Sequence, residues 1–492
     1  MTVASAKTQK MKRENQNKET TLSEFLDHTQ QDKFLALYGM LQSGVSPYSN
    51  RFLLYWGKQP PKNHSKNVAV AIKKKGLIPF DDAWKILTAY CYAVNEPTRW
   101  RDDIPAIVSH WLTCREDVSG MLSSECETTW HKLLATLSRS NGSKYHVTCP
   151  RNIFPLRSKK TEQFSFIDLF AGIGGFRIPL QEFGGKCVFS SEWEQKARET
   201  YYSNYGEWPF GDITNFTATN GVDKIPSYIP DHDILAAGFP CQPFSHAGQK
   251  LGFEDTRGTL FFDILQIAKH RQPKVLFLEN VRGLKGHDKG HTFNVICNSL
   301  YEIGYKVYTK MLCAKDYGVP QNRHRIFIVA FRDPIQFKFP SKVPPSRAVK
   351  LHELLEKNPE DRYTITERMW KGHVERRKRN RENGKGFGYQ IFEPKAPYVS
   401  TLSARYWKDG SEILINQSSK STPRTLTPRE CARLQGFPEQ FVLHSSKKSS
   451  YQQFGNSVAV PVIRAITKEI LHSLSENEPV IDSIDPLQPM HL

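Results

Sequence analysis

The sequence predicts an α/β protein: a mostly parallel sheet flanked by helices, preceded by a mainly helical N-terminal extension. Three observations carry that prediction. From Phe164 onward, short β-rich runs (FSFIDLF, KCVFSSE, HDILAAG, PKVLFLEN, YKVYTKML, RIFIVAFR) alternate with amphipathic segments such as Gly258–His270, the pattern of parallel strands joined by helical crossovers. The first run ends in a glycine-rich turn, DLFAGIGG, where open α/β sheets place their ligands. Residues 21–160 instead carry helical stretches such as Asp81–Tyr92 between polar loops.

The chain has 492 residues, enough for two or three domains. Lys and Arg number 68 against 50 Asp and Glu, a formal net charge of +18. Such an excess suits a polyanion, most commonly nucleic acid; a basic protein without such a partner is the plain alternative. No apolar run is long enough to cross a bilayer. The N-terminus is polar and lacks the apolar core of a secretory signal. A cytoplasmic protein without a membrane partner is expected. The nine cysteines are scattered with no C-x-x-C pair, so neither a structural metal nor a disulfide framework is expected.

Taken in order, residues 1–20 read as disordered. The Lys-rich stretch Lys62–Lys75 fits either a DNA contact or a solvated surface. The first strand, Phe164–Phe170, runs into Asp168, Phe170, Ala171, Gly172, Gly174 and Gly175. Glycines there permit a tight turn and close approach of a ligand, and a helix N-terminus at Phe176 would follow. The turn is not a G-x-x-x-x-G-K-[ST] phosphate loop, so ATP hydrolysis is not indicated. The next strand ends in Glu192 and Trp193. An acid there suits ribose hydroxyls, and the indole suits an adenine face. Asp212, expected after a third strand, suits an adenine amino group. Singly, each acid is equally a surface carboxylate and Trp193 equally a core residue. Together they describe an adenosine pocket that needs no phosphate contacts.

The run HDILAAGFPCQPFS sets Cys241 between Pro240 and Pro243 at a strand's C-terminal end. The prolines stiffen the loop, and a rigidly presented loop cysteine is a candidate nucleophile. VLFLENV ends in Glu279 and Asn280. A carboxyl emerging from an apolar strand tends toward a raised pKa and can serve as an acid near neutral pH. Arg323 and Arg325, in QNRHR before RIFIVAF, lie two apart on an extended segment and point the same way. They suit a carbonyl, carboxylate or phosphate, or a surface salt bridge. Beyond Arg332 the alternation stops, and a basic run, HVERRKRNRENGKG, occupies His373–Gly386. Apolar periodicity returns in Thr425–Phe437 and Val458–Leu474, ahead of a loose acidic tail.

This ordered set, continued by RTLTPRECARLQGFP (Arg424–Pro438) and FGNSVAVPV (Phe454–Val462), resembles the DNA (cytosine-5) methyltransferases over about residues 164–470. The resemblance implies a Rossmann-like fold dependent on S-adenosylmethionine. It divides the chain into an extension (1–160), a catalytic and cofactor-binding domain (161–332), a smaller target-recognition domain (333–423), a returning part of the catalytic domain (424–475) and a tail (476–492). Cys241 would be the nucleophile toward a flipped cytosine, with Glu279, Arg323 and Arg325 supporting it. Phe170, Trp193, Pro240, Asn456 and Val458 would line the cofactor pocket with the glycine turn, Asp168, Glu192 and Asp212. Gln242 and a mobile loop from Ser245 to Arg257 would meet DNA.

The basic run would grip phosphates. Arg405, Tyr406, Lys408 and Gln417 are the candidates for base reading. The stretch Gly384–Ile415 resembles the Dcm and EcoRII subgroup, which implies a CCWGG or CCNGG target methylated at the inner cytosine. Double-stranded DNA is the implied partner, and the implied setting is a monomer of a restriction-modification system whose endonuclease shares the site without needing to bind. A tRNA methyltransferase is a weaker reading, because those relatives have a reduced recognition region. A silent DNA-binding regulator would be expected to lack the nucleophile or the acid. A bare nucleotide-binding oxidoreductase leaves P-C-Q, E-N-V and Q-x-R-x-R unexplained. The extension, with its Lys-rich stretch, is a candidate for autoregulation.

Overall fold

The computed structural model describes residues 22, 24–47, 77–94, 101–114, 124–137, 146–147, 162–217, 225–240, 260–344, 349–386, 388–418 and 420–476. The expected disordered start, the Lys-rich stretch, Cys241, Gln242, the loop from Ser245 to Arg257 and residues 477–492 lie outside them.

The extension is mainly helical: α1 (His28–Gln42), α2 (Phe80–Ala93), α3 (Ile104–Cys114) and α4 (Ser124–Leu137). Asp27 opens α1 with a capping box shared with Gln30. Two short strands, β1 (Leu77–Ile78) and β2 (His146–Val147), pair in parallel.

Six apolar runs then form one sheet. They are β3 (Phe164–Leu169), β4 (Gly185–Ser191), β5 (Ile234–Gly238), β6 (Val275–Val281), β7 (Lys306–Cys313) and β8 (His324–Phe331), in the order β4-β3-β5-β6-β8-β7. Helices cross between the first of these: α5 (Arg177–Glu182) after β3, α6 (Gln195–Tyr205) after β4, α7 (Leu260–Arg271) after β5 and α8 (His291–Glu302) after β6. Such crossovers return the chain in parallel. Between β7 and β8 there is only a short 3-10 turn, Ala314–Tyr317. The chain therefore doubles back, and β8 slots antiparallel between β6 and β7. The sequence leads to a full strand ahead of Asp212. The structure has only a single parallel bridge there, Ser191 to Phe210, because Pro209 cannot donate to a ladder.

Alternation along the strands builds two cores. Ile167, Leu235, Leu276 and Ile328 face α7, α8 and the extension, whose Trp84, Ile107 and Trp130 join the same cluster. Phe166, Ile234, Phe277 and Val329 face the other way, onto Ile463 and Ile466 of the last helix.

The segment after β8 carries α9 (Glu367–Glu382), which holds most of the basic run and is capped by Thr366. Its small sheet, in the order β11-β10-β9, comprises β9 (Ile391–Phe392), β10 (Leu414–Ile415) and β11 (Arg424–Thr425). Three helices follow: α10 (Pro428–Leu434), α11 (Lys447–Asn456) and α12 (Val460–Glu476). The last packs on the sheet through Ile463 and Ile466. Among the described residues, no helix is long and apolar enough to cross a membrane.

Candidate active site

The glycine turn after β3 is conformationally demanding. Phe170 holds φ 53, a left-handed value that only a well-determined site sustains for a bulky residue. Gly172 also has positive φ, and a Cβ built there would meet nothing within 4 Å, so the turn is open above it. At Gly175 a Cβ would fall 2.7 Å from Val458 Cγ2. The returning C-terminal segment therefore sits directly on the turn, with Val458 buried and Asn456 exposed beside it.

Glu192 reaches back from the end of β4. Its Oε2 accepts from Gly172 N at 2.8 Å and its Oε1 from Glu194 N at 2.8 Å. Burial pushes its pKa up, and those two amides pull it back down. Trp193 is 81% exposed, so it is not a core residue. Asp212 is exposed, with one oxygen accepting from Thr214 N at 3.0 Å. The Phe210 bridge joins these acids: Phe210 N donates to Ser190 O at 2.8 Å, and Glu192 N donates to Phe210 O at 2.7 Å. A held carboxylate, a free indole face, a second acid and open space over the turn suit an adenosine.

Asp168 stands apart from that surface. It is fully buried beneath the turn, within reach of Tyr201 OH at 3.4 Å, and its Oδ1 has no hydrogen-bond partner among the described residues. Burial pushes its pKa up to about 8, against the opposing pull of Arg177. Arg177 itself donates to Glu207 at 2.6 Å and to Tyr201 at 3.1 Å. This buried network under the turn was not visible as a motif.

At the neighbouring strand ends, Glu279 pairs in register with Gly238. Arg325 Nε lies 3.0 Å from Glu279 Oε1. Burial raises the Glu279 pKa, while Arg325 and then Arg323 oppose the rise. Asn280 Nδ2 donates to Phe239 O at 2.9 Å. That bond ties the acid's strand to the backbone two residues before Cys241. Pro240, the last described residue on that side, is exposed. The sequence places Asn280 beside Glu279 without assigning it a role; the structure shows it as the tie between the two strand ends.

Arg323 behaves differently from Arg325. Its Nη1 donates to Leu402 O at 3.0 Å, and its Nη2 donates to Gly455 O at 3.1 Å and Ser457 O at 2.7 Å. Both terminal nitrogens are thus committed to backbone carbonyls, joining the segment around Leu402 to the end of α11. Gln321, two residues earlier in the same motif, also braces: it accepts from Leu402 N at 2.9 Å and donates to Leu434 O at 3.0 Å.

The four base-reading candidates divide. Arg405 and Lys408 are exposed. Tyr406 corrects the sequence expectation: it is 1% exposed, its hydroxyl donates to Ile413 O at 2.7 Å and it accepts from Leu426 N at 2.7 Å. A ring so enclosed cannot reach a base edge. Gln417 spends its amide on Thr422 O at 3.0 Å. Tyr406→Phe is expected to lower unfolding free energy by about 1–3 kcal/mol, since two buried backbone groups lose their partner. The pattern of modified sites should not change. Chemical denaturation and methylome sequencing check the two halves.

A family model described as C-5 cytosine-specific DNA methylase matches residues 164–472. The chain belongs to that family. Among relatives of the methylase, Type II methyltransferase M.NlaX of Neisseria lactamica is 52% identical over 316 residues, spanning 63% of this chain and 97% of that one. The DNA-cytosine methyltransferase of Escherichia coli (strain K12) is 37% identical over 408 residues, 70% of this chain and 86% of the relative. The solved S. pombe Dnmt2 methyltransferase superposes with a TM-score of 0.53 at 21% identity, covering 63% of this chain and 99% of that one; this likeness bears on the fold alone. The family's methyl donor is S-adenosylmethionine, and the adenosine-suited surface between Gly172, Glu192 and Trp193 fits it.

Proposed function

We propose that this methylase modifies the inner cytosine of CCWGG or CCNGG in duplex DNA, with Cys241 as nucleophile and Glu279 as the acid, as the Type II modification partner of an endonuclease. The observation that best supports the chemistry is the bond from Asn280 to Phe239, with Arg325 on Glu279 alongside; the target rests on the resemblance of Gly384–Ile415 to the Dcm and EcoRII subgroup. A carboxyl of raised pKa, its arginine and the start of the Pro240–Cys241–Gln242 loop thereby share one sheet edge.

The chemistry follows from the ring. Carbon 5 of cytosine is a poor nucleophile, and its atoms lie inside the stack, so the base is flipped out first. The Cys241 thiolate adds to carbon 6, and electron density moves through carbon 5 toward ring nitrogen 3. The Glu279 carboxyl, in its protonated form, donates to nitrogen 3 and accepts from the exocyclic amine, neutralising the charge that develops there. Arg325 holds that carboxyl and faces the base carbonyl. Bound S-adenosylmethionine supplies the electrophilic methyl that carbon 5 takes. A base then removes the carbon 5 proton, the electrons re-form the 5,6 double bond and Cys241 leaves as thiolate. Covalent addition thus splits one hard step into easier ones. Glu192 and Asp212 would hold the ribose and adenine of the cofactor, with Phe170, Trp193, Pro240 and Val458 around them. Arg323 acts as a positioning residue.

Arg405 and Lys408 remain the proposed readers on the DNA side, with Gln242, Ser245 and Arg257 on the loop beyond Cys241. Expression in a host free of cytosine methylation, followed by bisulfite sequencing, should place 5-methylcytosine at the inner cytosine of CC(W/N)GG. Modification concentrated at any other motif overturns the specificity while leaving the chemistry intact.

A further inference from the structure

The N-terminal extension lies outside the family match, which begins at residue 164. M.NlaX aligns over nearly its full length while covering less than two thirds of this chain. The family reaction therefore runs in relatives with no room for a counterpart of the extension. In this chain the extension nonetheless reaches the segment that carries the adenosine acids. Asp103, buried where the extension meets the catalytic sheet, accepts from Gly211 N at 2.7 Å and lies 3.3 Å from Arg198 Nη2. Arg198 in turn donates through Nε to Pro209 O at 3.0 Å. Ser109 Oγ accepts from Trp208 N at 3.0 Å. Trp84 stacks on Trp208 with centroids 5.7 Å apart, and His110 lies 4.7 Å from the Phe210 ring.

Trp208, Phe210 and Gly211 are thus held from the extension's side, while Arg198 on Pro209, Tyr202 stacked on Trp208 and Phe189 stacked on Phe210 hold the stretch from the catalytic side. Phe210 passes that hold to β4 through its backbone bonds to Ser190 and Glu192. The approach is close, since a Cβ on Gly211 would fall 3.1 Å from Asp103 Oδ1. Asp212 follows immediately in the chain. Without the extension the Trp208 and Gly211 amides would lose their acceptors and one face of Trp208 its stacking partner, and a largely irregular segment that loses backbone partners opens more readily.

We propose that the N-terminal extension is an integral buttress of the cofactor pocket, and that Asp103 is a positioning residue which fixes Gly211–Asp212 and, through Phe210, Glu192 in the geometry that receives adenosine. This rests on the assignment of Glu192 and Asp212 to the cofactor.

The test measures affinity for S-adenosylhomocysteine by calorimetry and for a cognate duplex by fluorescence anisotropy, on the full chain. Asp103→Ala should weaken S-adenosylhomocysteine binding about tenfold, the scale of one charge-assisted hydrogen bond, and leave the duplex affinity within about twofold. Asp103→Asn keeps an acceptor for the Gly211 amide and should recover most of the loss. Should Asp103→Ala not fold, Ser109→Ala, which removes the acceptor of the Trp208 amide and a donor to Ala106 O within its own helix, should still weaken cofactor binding about threefold. Wild-type cofactor affinity in the folded variants overturns the proposal, and so does a parallel fall in cofactor and duplex affinity. Glu192→Ala separates the two readings. If it abolishes cofactor binding while the Asp103 variants do nothing, only the buttress fails. If it binds normally, the pocket assignment fails.

Discussion

Glu279→Gln is expected to slow methyl transfer by about 10²–10³-fold, the usual range for removing a positioned general acid. Glutamine keeps the size of the side chain and its hydrogen-bonding capacity toward Arg325. It cannot be protonated and deprotonated as cytosine nitrogen 3 gains electron density. Because Glu279 lies across β5 from the glycine turn, affinity for S-adenosylhomocysteine should stay within about twofold. The pH profile carries an independent signature. Burial raises the Glu279 pKa more than Arg325 and Arg323 lower it, so the acid form persists to higher pH than in a free carboxylate. The catalytically useful form is present below that raised pKa and is lost as pH rises through it. Wild-type single-turnover rates should therefore show an alkaline limb that Glu279→Gln lacks. Rapid-quench measurement across pH decides it: an unchanged limb in the variant would assign the titration to another group.

The strand ends that carry the proposed site were legible as strand ends because each combines two signals in the sequence. Glu279 emerges from an apolar run, and the glycine turn follows another. Burial of those runs is what the alternating patterns report, so all six strands of the sheet appear where the sequence expects them. The reversal of β8 was not legible, because period-two alternation carries no direction; it follows from the short 3-10 link after β7. Arg323 and Arg325 look equivalent two residues apart, yet one meets a carboxylate and the other meets carbonyls of Leu402, Gly455 and Ser457. Those carbonyls arrive from remote parts of the chain, and no local pattern encodes them. Tyr406 was misread for the same reason: an aromatic residue among Arg and Lys resembles a DNA contact until its hydroxyl is seen bonded to Ile413 and Leu426. Asp103 is the extreme case. No local pattern singles it out, because its amide partner, Gly211, lies 108 residues further on.

The largest effect should come from Cys241→Ala: a fall in turnover of at least about 10³-fold, since every later step depends on the bond its sulfur makes to carbon 6. In the proposed reaction that sulfur acts on the base alone, so affinities for S-adenosylhomocysteine and for cognate duplex should both survive. Duplex carrying 5-fluorocytosine at the target makes the test sharper. Fluorine at carbon 5 cannot leave as a proton, so elimination stalls after methyl transfer and the protein–DNA bond persists. Wild-type protein should form an adduct stable to denaturant. Cys241→Ala should form none while still shifting the same duplex on a native gel. Glu279→Gln should form it slowly, because the same acid assists the addition itself. Undiminished methyl incorporation by Cys241→Ala would remove the covalent route altogether. Adduct formation by that variant would move the nucleophile to another thiol, although Cys187, Cys313 and Cys431 are buried and burial raises the pKa of each, which disfavours the thiolate that attack requires.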